Sequence, residues 1–365
     1  MAVDFSEFSQ KTAAVSTDYL VGYDQNASGG EKKFTLSTIA NAVSGIIAPS
    51  FAQTPAFTGT FKNKLINGNF DIWQRGSVTT ASNNNSHVGF YGADRWGFSP
   101  NLVGTVSTNL SSFDVTQTQV PNNPTNYLSF NTTVASTGTP FLYQRIENVR
   151  ILSGKTVTLS FYAKSNISLS VTIGYSYWYG LPIAAGGTFS NQTNTSAGTI
   201  TTTSNWTKYT ITTTLPSIAS GLSVDASQNT FLQLYFGLPA GTTYAFDIAQ
   251  VQLEEGSVAT PFEQRPIGTE LALCERYYQG KRRFGSTGRS IPNSGVLNNS
   301  VALISPTMRS IPSVTIYDPI AYNAGSYIYG AMILTGVTSE WVAFAAEINY
   351  QAWYFAASYN LNAEL

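Results

Sequence analysis

The chain has 365 residues and a formal net charge of −1, with only 11% of residues charged against roughly 25% in typical soluble chains, so it carries no electrostatic footprint for nucleic acid. Its single cysteine, Cys274, excludes an intrachain disulfide and a cysteine-rich metal site. No apolar run is long enough to span a membrane, and Met1-Ala-Val-Asp-Phe5 has neither the basic start nor the apolar stretch of a signal peptide.

Apolar residues at 42% are ample for a core, and the polarity comes from Thr, Ser and Asn, which suit half-exposed strands and their turns. In residues 1–47, the alternating Asp18–Asp24 and Lys33–Leu36 flank the Gly-containing loop Gln25–Gly30, which predicts a hairpin. Ser37 then caps a short helix from about 38 to 46, with Ile39, Ala42, Val43 and Ile46 at helical spacing. This ββα module is too small to close a core of its own and needs a partner. Residues 48–62 contain Pro49, Pro55 and Gly59 and read as a linker.

Residues 63–268 read as one β-sandwich of jelly-roll type. Asn67–Gly76 and Phe246–Gly256 bracket it and are expected to be its first and last strands. Between them, 156–163, 171–179, 206–212 and 231–237 alternate strongly. In the second of these, Val171, Ile173, Tyr175, Tyr177 and Tyr179 share one face and Trp178 takes the other. No strand–helix alternation recurs, which argues against a parallel α/β sheet. Residues 268–278 predict a helix with Thr269 as N-cap and Leu271, Cys274 and Tyr278 on one face. Lys281-Arg282-Arg283 reads as a solvated turn. Strands over 306–317 and 341–348 complete a β-rich tip domain, residues 269–365. The fold class is therefore mainly β: an N-terminal ββα module, a central sandwich and a β-rich tip.

The chemistry-bearing residues point to binding and not to catalysis. His87, the only histidine, lies in the loop-like 83–89 and reads as a surface residue more readily than as the base of a Ser-His-Asp triad. Asp94, Glu147, Asp247, Glu254 and Glu255 are the carboxylates from which a glycoside hydrolase pair would be drawn. Asp94-Arg95 and Arg145-Glu147 fit structural hydrogen bonds and ion pairs better, and Glu254-Glu255 a solvated strand end. No catalytic residue is assigned and no enzyme is expected. Sugars are held by aromatic rings against their apolar faces, with amides and carboxylates on their hydroxyls. The candidates are Trp178, Tyr179, Tyr175 and Trp206 in the sandwich, and Tyr322 and Tyr327 in the tip, with Tyr317, Tyr329 and Trp353 beside them. For each of them core packing is the alternative; Trp73 and Trp96 read as core. The stretch 316–330 contains Pro, Gly, Asn and Ser, which predicts loop in part of it.

Several motifs, taken in order, carry a resemblance. Asp18-Tyr-Leu-Val-Gly-Tyr23 with Gly29-Gly-Glu-Lys-Lys-Phe-Thr-Leu36 resembles the N-terminal module of tail fibres of tailed bacteriophages, and Thr54-Pro-Ala-Phe-Thr-Gly-Thr60 is similar to their short linkers. The set Lys64–Arg75, Ala93-Asp-Arg-Trp96, Tyr143-Gln-Arg-Ile-Glu147, Val251-Gln-Leu-Glu-Glu-Gly256 and Cys274-Glu-Arg-Tyr-Tyr278 resembles phage particle proteins with a carbohydrate-binding-like jelly roll. Met308-Arg-Ser-Ile-Pro-Ser-Val-Thr315 looks like the start of a fibre tip. The resemblance implies a homotrimeric virion fibre, attached through residues 1–47 to a tail, baseplate, neck or head protein, with its distal parts on a host-surface glycan. A purely structural fibre and a polysaccharide-cleaving tailspike are the alternatives. It also implies a structural calcium ion where first and last strands meet, with Asn69, Asp71 and Asp247 as ligands. The competing reading is that Asn67 and Asn69 make turns and Asp247 pairs with an arginine.

Overall fold

Alternating segments of this chain become antiparallel strands in the computed structural model, which describes residues 19–23, 31–35, 61–82, 90–99, 103–182, 189–218, 230–287, 298–323, 326–328, 331–347 and 354–364. These fall into two compact units, Met1–Thr60 and Phe61–Leu365. In the first, β1 (Tyr19–Tyr23) pairs antiparallel with β2 (Glu31–Thr35), Tyr19 opposite Thr35. The helix expected over 38–46 and the linker up to Thr60 lie outside the described residues.

The second unit opens with β3 (Val78–Ser82), β4 (Phe90–Tyr91), β5 (Trp96–Ser99), β6 (Gly104–Ser112), β7 (Asn126–Val134), β8 (Phe141–Glu147) and β9 (Thr156–Ser165). It continues with β10 (Ser170–Pro182), β11 (Phe189–Thr201), β12 (Thr207–Thr214), β13 (Phe231–Gly237) and β14 (Tyr244–Glu255). These strands form two six-stranded sheets, ordered β11-β10-β13-β8-β5-β4 and β12-β9-β14-β7-β6-β3. From β7 to β14 the chain crosses repeatedly between the sheets, which is the jelly-roll path. Period-two alternation sends Ile173, Tyr175, Leu234 and Phe236 of the first sheet, and Leu159, Phe161, Phe130 and Phe246 of the second, into one shared core. Edge-to-face contacts, Phe98 on Phe130 (6.3 Å) and Phe161 on Phe236 (5.1 Å), join the layers.

The bracketing segments do meet, but the first is not a strand. Asn67 and Phe70 take positive φ, and the Asn67 amide bonds Ile72 on both sides: its Oδ1 accepts from Ile72 N and its Nδ2 donates to Ile72 O. That local ring replaces a ladder. Residues 64–68 still clasp β14, with Lys64 N donating to Leu253 O and Val251 N to Gly68 O, both at 2.8 Å. A Cβ on Gly68 would fall 2.2 Å from Val251 O, so only glycine permits this approach.

Helix α1 (Ile267–Glu275) starts two residues before Thr269. Pro266 is its N-cap; the carbonyl of Pro266 accepts from Thr269 N and Glu270 N, which places Thr269 within the first turn. Beyond it lie β15 (Tyr278–Thr287), β16 (Asn298–Leu303), β17 (Ser313–Asn323), β18 (Ser326–Ile328), β19 (Ala331–Val337), β20 (Trp341–Glu347) and β21 (Tyr354–Asn362). They form sheets ordered β15-β21-β17-β18 and β16-β20-β19, over a smaller core of Ile304, Met308, Val342, Phe344, Tyr359 and Leu361. Lys281-Arg282-Arg283 is part of β15 rather than a turn. Lys281 sits at a bulge with φ 54°, and Arg282 reaches Glu275 at 3.0 Å. Of 316–330, where loop is expected in part, 316–323 and 326–328 are strand in β17 and β18, with Tyr322 opposite Tyr327, and 324–325 and 329–330 lie outside the described residues.

The charged motifs stitch these sheets to the sandwich. Arg95, 1% exposed, pairs with Glu364 and not with Asp94, and lies 3.4 Å over the Tyr277 ring. Arg75 reaches Glu364 at 3.4 Å and covers the Tyr278 ring. Glu147 accepts from Arg276 (3.2 Å) and Arg309 (3.0 Å), whereas Arg145 donates to Gln233 at 3.0 Å. Both motifs are thus structural, through hydrogen bonds of Asp94 and Arg145 to Gln74 and Gln233 and ion pairs of Arg95 and Glu147, with partners distant in sequence. Glu254 is another correction. It is 2% exposed and accepts from Gln252 Nε2, Thr260 N and Thr260 Oγ1; only Glu255 is solvated, 2.8 Å from Lys155.

Candidate functional site

The outer face of the first sheet carries a cleft of about 300 Å³ lined by Ser99, Phe141, Tyr143, Arg145, Ser176, Trp178, Asn194, Gln233 and Tyr235. Register builds it. Tyr235 stands opposite Tyr143 and Gln233 opposite Arg145, while Ser176 faces Gln233 on one side and Asn194 on the other. The residues between them point into the core, so each strand presents every second side chain to the cleft.

Two glycines let the aromatic rings lie down. A Cβ on Gly174 would sit 2.3 Å from Tyr235 Oη, and one on Gly97 would sit 2.5 Å from the Tyr143 ring. The cross-strand neighbour of each tyrosine is thus the one residue that leaves its ring room to fold over. Phe141 meets Tyr235 edge-on at 5.6 Å, and Trp178 stacks on Phe231 at 5.8 Å. The Arg145 guanidinium lies over Phe231 (4.6 Å) and near Tyr143 (5.2 Å) while its Nε bonds Gln233 Oε1. Gln233 is thereby held at the floor of the cleft. Burial pushes the Tyr143 and Tyr235 phenols up, so both stay protonated hydroxyls at neutral pH. The assembled surface offers aromatic faces flanked by amide, hydroxyl and guanidinium groups.

Of the predicted sugar-binding residues, Trp178 lines this cleft. Tyr175 does not: it is fully buried between the sheets, where burial raises its phenol well above the usual range, and no ligand on the surface can touch it. Tyr179, Tyr322 and Tyr327 lie in β10, β17 and β18, and their side chains fall outside the described residues, as do His87, Tyr329 and Trp353. Trp206 packs elsewhere, against Phe113 (5.0 Å) and Tyr127 (5.2 Å), with Lys164 over its ring. Trp96 is core, and its Nε1 donates to Asn67 O.

Sequence reading passed over Phe141, Tyr143, Arg145, Asn194, Gln233 and Tyr235 as site residues. The signal was there in β8 and β13. In Phe141-Leu-Tyr-Gln-Arg-Ile-Glu147 and Phe231-Leu-Gln-Leu-Tyr-Phe-Gly237, one parity is largely core, and the other carries aromatic, charged and amide side chains rather than Thr or Ser.

The residues considered for calcium have different partners. Asn69 Nδ2 donates to Asp71 Oδ2 at 2.8 Å, and Asn126 Nδ2 to Asp71 Oδ1 at 3.2 Å. Asp247 is engaged instead by Lys164, 3.6 Å away, and by Ser129; burial raises its carboxyl, and those two partners oppose the rise. Its cationic partner is a lysine, not an arginine. Among the described residues, no group of three or more His, Cys, Asp or Glu is arranged to hold a metal ion. Among them, no helix is long and apolar enough to cross a membrane.

No family model matches this chain, and no curated protein matches its sequence. Among solved structures it is similar to the enzymatically active domain of tailspike protein 4 of bacteriophage CBA120, at 12% identity and TM-score 0.31, over 53% of this chain and only 21% of that one. It is also similar to the C-terminal family 22 carbohydrate-binding module of Clostridium thermocellum Xyn10B, at 16% identity and TM-score 0.32, over 48% of this chain and 100% of that one. The family 11 carbohydrate-binding module of Clostridium thermocellum Lic26A-Cel5E matches 49% of this chain and 96% of its own at 14% identity, TM-score 0.30. These are likenesses of fold at low identity.

Proposed function

We propose that this chain is a non-catalytic virion fibre protein of a tailed phage that binds a host-surface glycan through the cleft on its first sheet. The observation that carries the glycan reading is the cleft itself. Trp178, Tyr235 and Phe141 supply rings for the apolar faces of pyranoses. Gln233, Asn194, Ser176 and Arg145 supply donors and acceptors for hydroxyls. The fibre reading rests on the ordered motifs of residues 18–60 and 64–315. In this reading residues 1–47 dock on the particle and the chain assembles as a homotrimer. Exposed apolar side chains on β16, Val301 (59% exposed) and Leu303 (82%), fit packing against a second copy.

A glycan array probed with the full chain tests the binding. Retention of specific glycans by the wild type, and loss of at least about tenfold in affinity in Trp178→Ala, is the expected result. Equal retention by Trp178→Ala rules out this cleft, and release of reducing ends from the bound polysaccharide rules out the non-catalytic reading. Light scattering that gives the mass of one 39.4 kDa chain at micromolar concentration removes the trimer.

A further inference from the structure

The second sheet has a cleft of its own on the face away from the first. It encloses about 330 Å³ and is walled by Pro121 and Asn122, by Ser160 and Tyr162 of β9, by Lys208 of β12 and by Thr260, Pro261 and Phe262 beyond β14. That volume lies at the lower end of the roughly 300–1,000 Å³ of small-molecule sites. At its floor is Gln250, the residue where β14 bulges: pairing with β9 slips between Ala249 and Gln252, and Gln250 takes φ 49°. The bulge has a structural cause, because it turns Val251 N toward Gly68 O and leaves Val251 O to accept from Asn63 Nδ2. The Gln250 side chain is not explained that way. It is 3% exposed, its Nε2 donates to Pro121 O at 2.8 Å, and its Oε1 receives no hydrogen bond from any described residue. Turning the amide over does not help, since two oxygens would then face each other across the Pro121 contact. A buried amide oxygen without a donor is costly, and Gln250 is one of the residues that line the cleft.

We infer that this cleft is a second saccharide-binding site, on the sheet opposite the first. The chemistry required is specific. Gln250 Oε1 needs a neutral O–H or N–H donor. Tyr162, Phe262 and the two prolines need an apolar face, and Lys208 and Asn122 at the rim supply donors to oxygens. A pyranose ring meets all three demands, with C–H groups on its faces and hydroxyls around its edge. Two sites on opposite sheets would let one chain engage two strands of a surface polysaccharide, and effective concentration would then raise avidity without any new contact.

Isothermal titration of the full chain with neutral hexasaccharides of glucose, galactose, xylose and N-acetylglucosamine tests this. The expected result is two ligands per chain in the wild type and one in Trp178→Ala. The remaining site should weaken about tenfold in Trp178→Ala combined with Tyr162→Ala or with Gln250→Asn, a shorter amide that tolerates positive φ. Lys208→Ala, at an exposed position, gives a third variant free of folding effects. Four outcomes overturn the inference: a wild-type chain that binds no hexasaccharide; one ligand per chain, abolished by Trp178→Ala alone; residual binding indifferent to Tyr162, Gln250 and Lys208; or Tyr162→Ala changing the mass of the assembly instead, which would make the cleft a contact between copies. A high-resolution crystal structure soaked in the binding sugar, with only a water on Gln250 Oε1, would also overturn it.

Discussion

At the scale of single residues, Gly97 and Gly174 shape the first cleft by lacking a Cβ. Both are overlaid by tyrosine rings from the neighbouring strand, but the rings differ in freedom: Tyr143 is buried and Tyr235 is half-buried. Gly174→Ala should therefore tilt the Tyr235 ring outward at little cost in stability and weaken glycan binding. Gly97→Ala should cost about 1–3 kcal/mol, because Tyr143 has nowhere to go. Chemical denaturation of the two variants checks the order, and equal losses would mean that the rings adjust alike. Asp94 supplies a pH test. Burial lifts its carboxyl from 3.8 to about 6, against hydrogen bonds from Gln74 N and Nε2. A raised acid in the folded state binds its proton more tightly than the unfolded chain does, so its contribution to stability falls as pH rises from about 4 to about 6. Unfolding free energy, wild type minus Asp94→Asn, should slope downward across that window and flatten above it; an upward slope would reverse the sign of the burial effect. What these residues meet was not legible in the sequence. Asp94 beside Arg95 reads as a structural hydrogen-bond or ion-pair residue, but nothing near it names Gln74 as the partner, and a glycine in a strand says only that something comes close.

At the scale of elements, the strongly alternating strands were readable and the polar ones were not. β10 and β13 keep one apolar parity throughout, so both their existence and their inward face followed from period two, Trp178 included. β6 and β11 are rich in Thr, Ser, Asn and Gly, and such composition marks strand and turn alike. The clasp between the residue before β5 and the residues after β21 was invisible because its partners, Arg95 and Glu364, are 269 positions apart. Its energetics are testable. Arg95 is buried and ion-paired, so Glu364→Gln strands a guanidinium and should destabilise by about 3–5 kcal/mol. Arg95→Met with Glu364→Leu removes both charges and should recover much of that loss. A double variant as unstable as the single one would show that packing on Tyr277, and not charge balance, holds the clasp.

At the scale of the whole chain, the question is whether the sandwich and the sheets beyond it can be parted. Sequence reading drew a boundary between residues 268 and 269, where strand pattern gives way to a helix. The contacts across that boundary are not those of a flexible joint. Asn67 N donates to Glu270, Gln74 bridges Asp94 and the Tyr278 carbonyl, Gly280 N donates to Gln74 Oε1, and Glu147 holds both Arg276 and Arg309. Cys274 and Tyr277 are buried, and Arg95 loses its carboxylate if Glu364 is taken away. A cut at 268 would therefore leave several buried polar groups unsatisfied on the sandwich side, each costing about 1–3 kcal/mol, out of a typical total of roughly 5–15 kcal/mol. Residues 61–365 should melt in a single calorimetric transition, with calorimetric and van't Hoff enthalpies equal. Residues 61–268 made alone should be unfolded or lose most of that stability. Two resolved transitions in 61–365, or a 61–268 fragment as stable as the longer chain, would show that the sandwich folds independently and that the charged motifs only position the sheets that follow it.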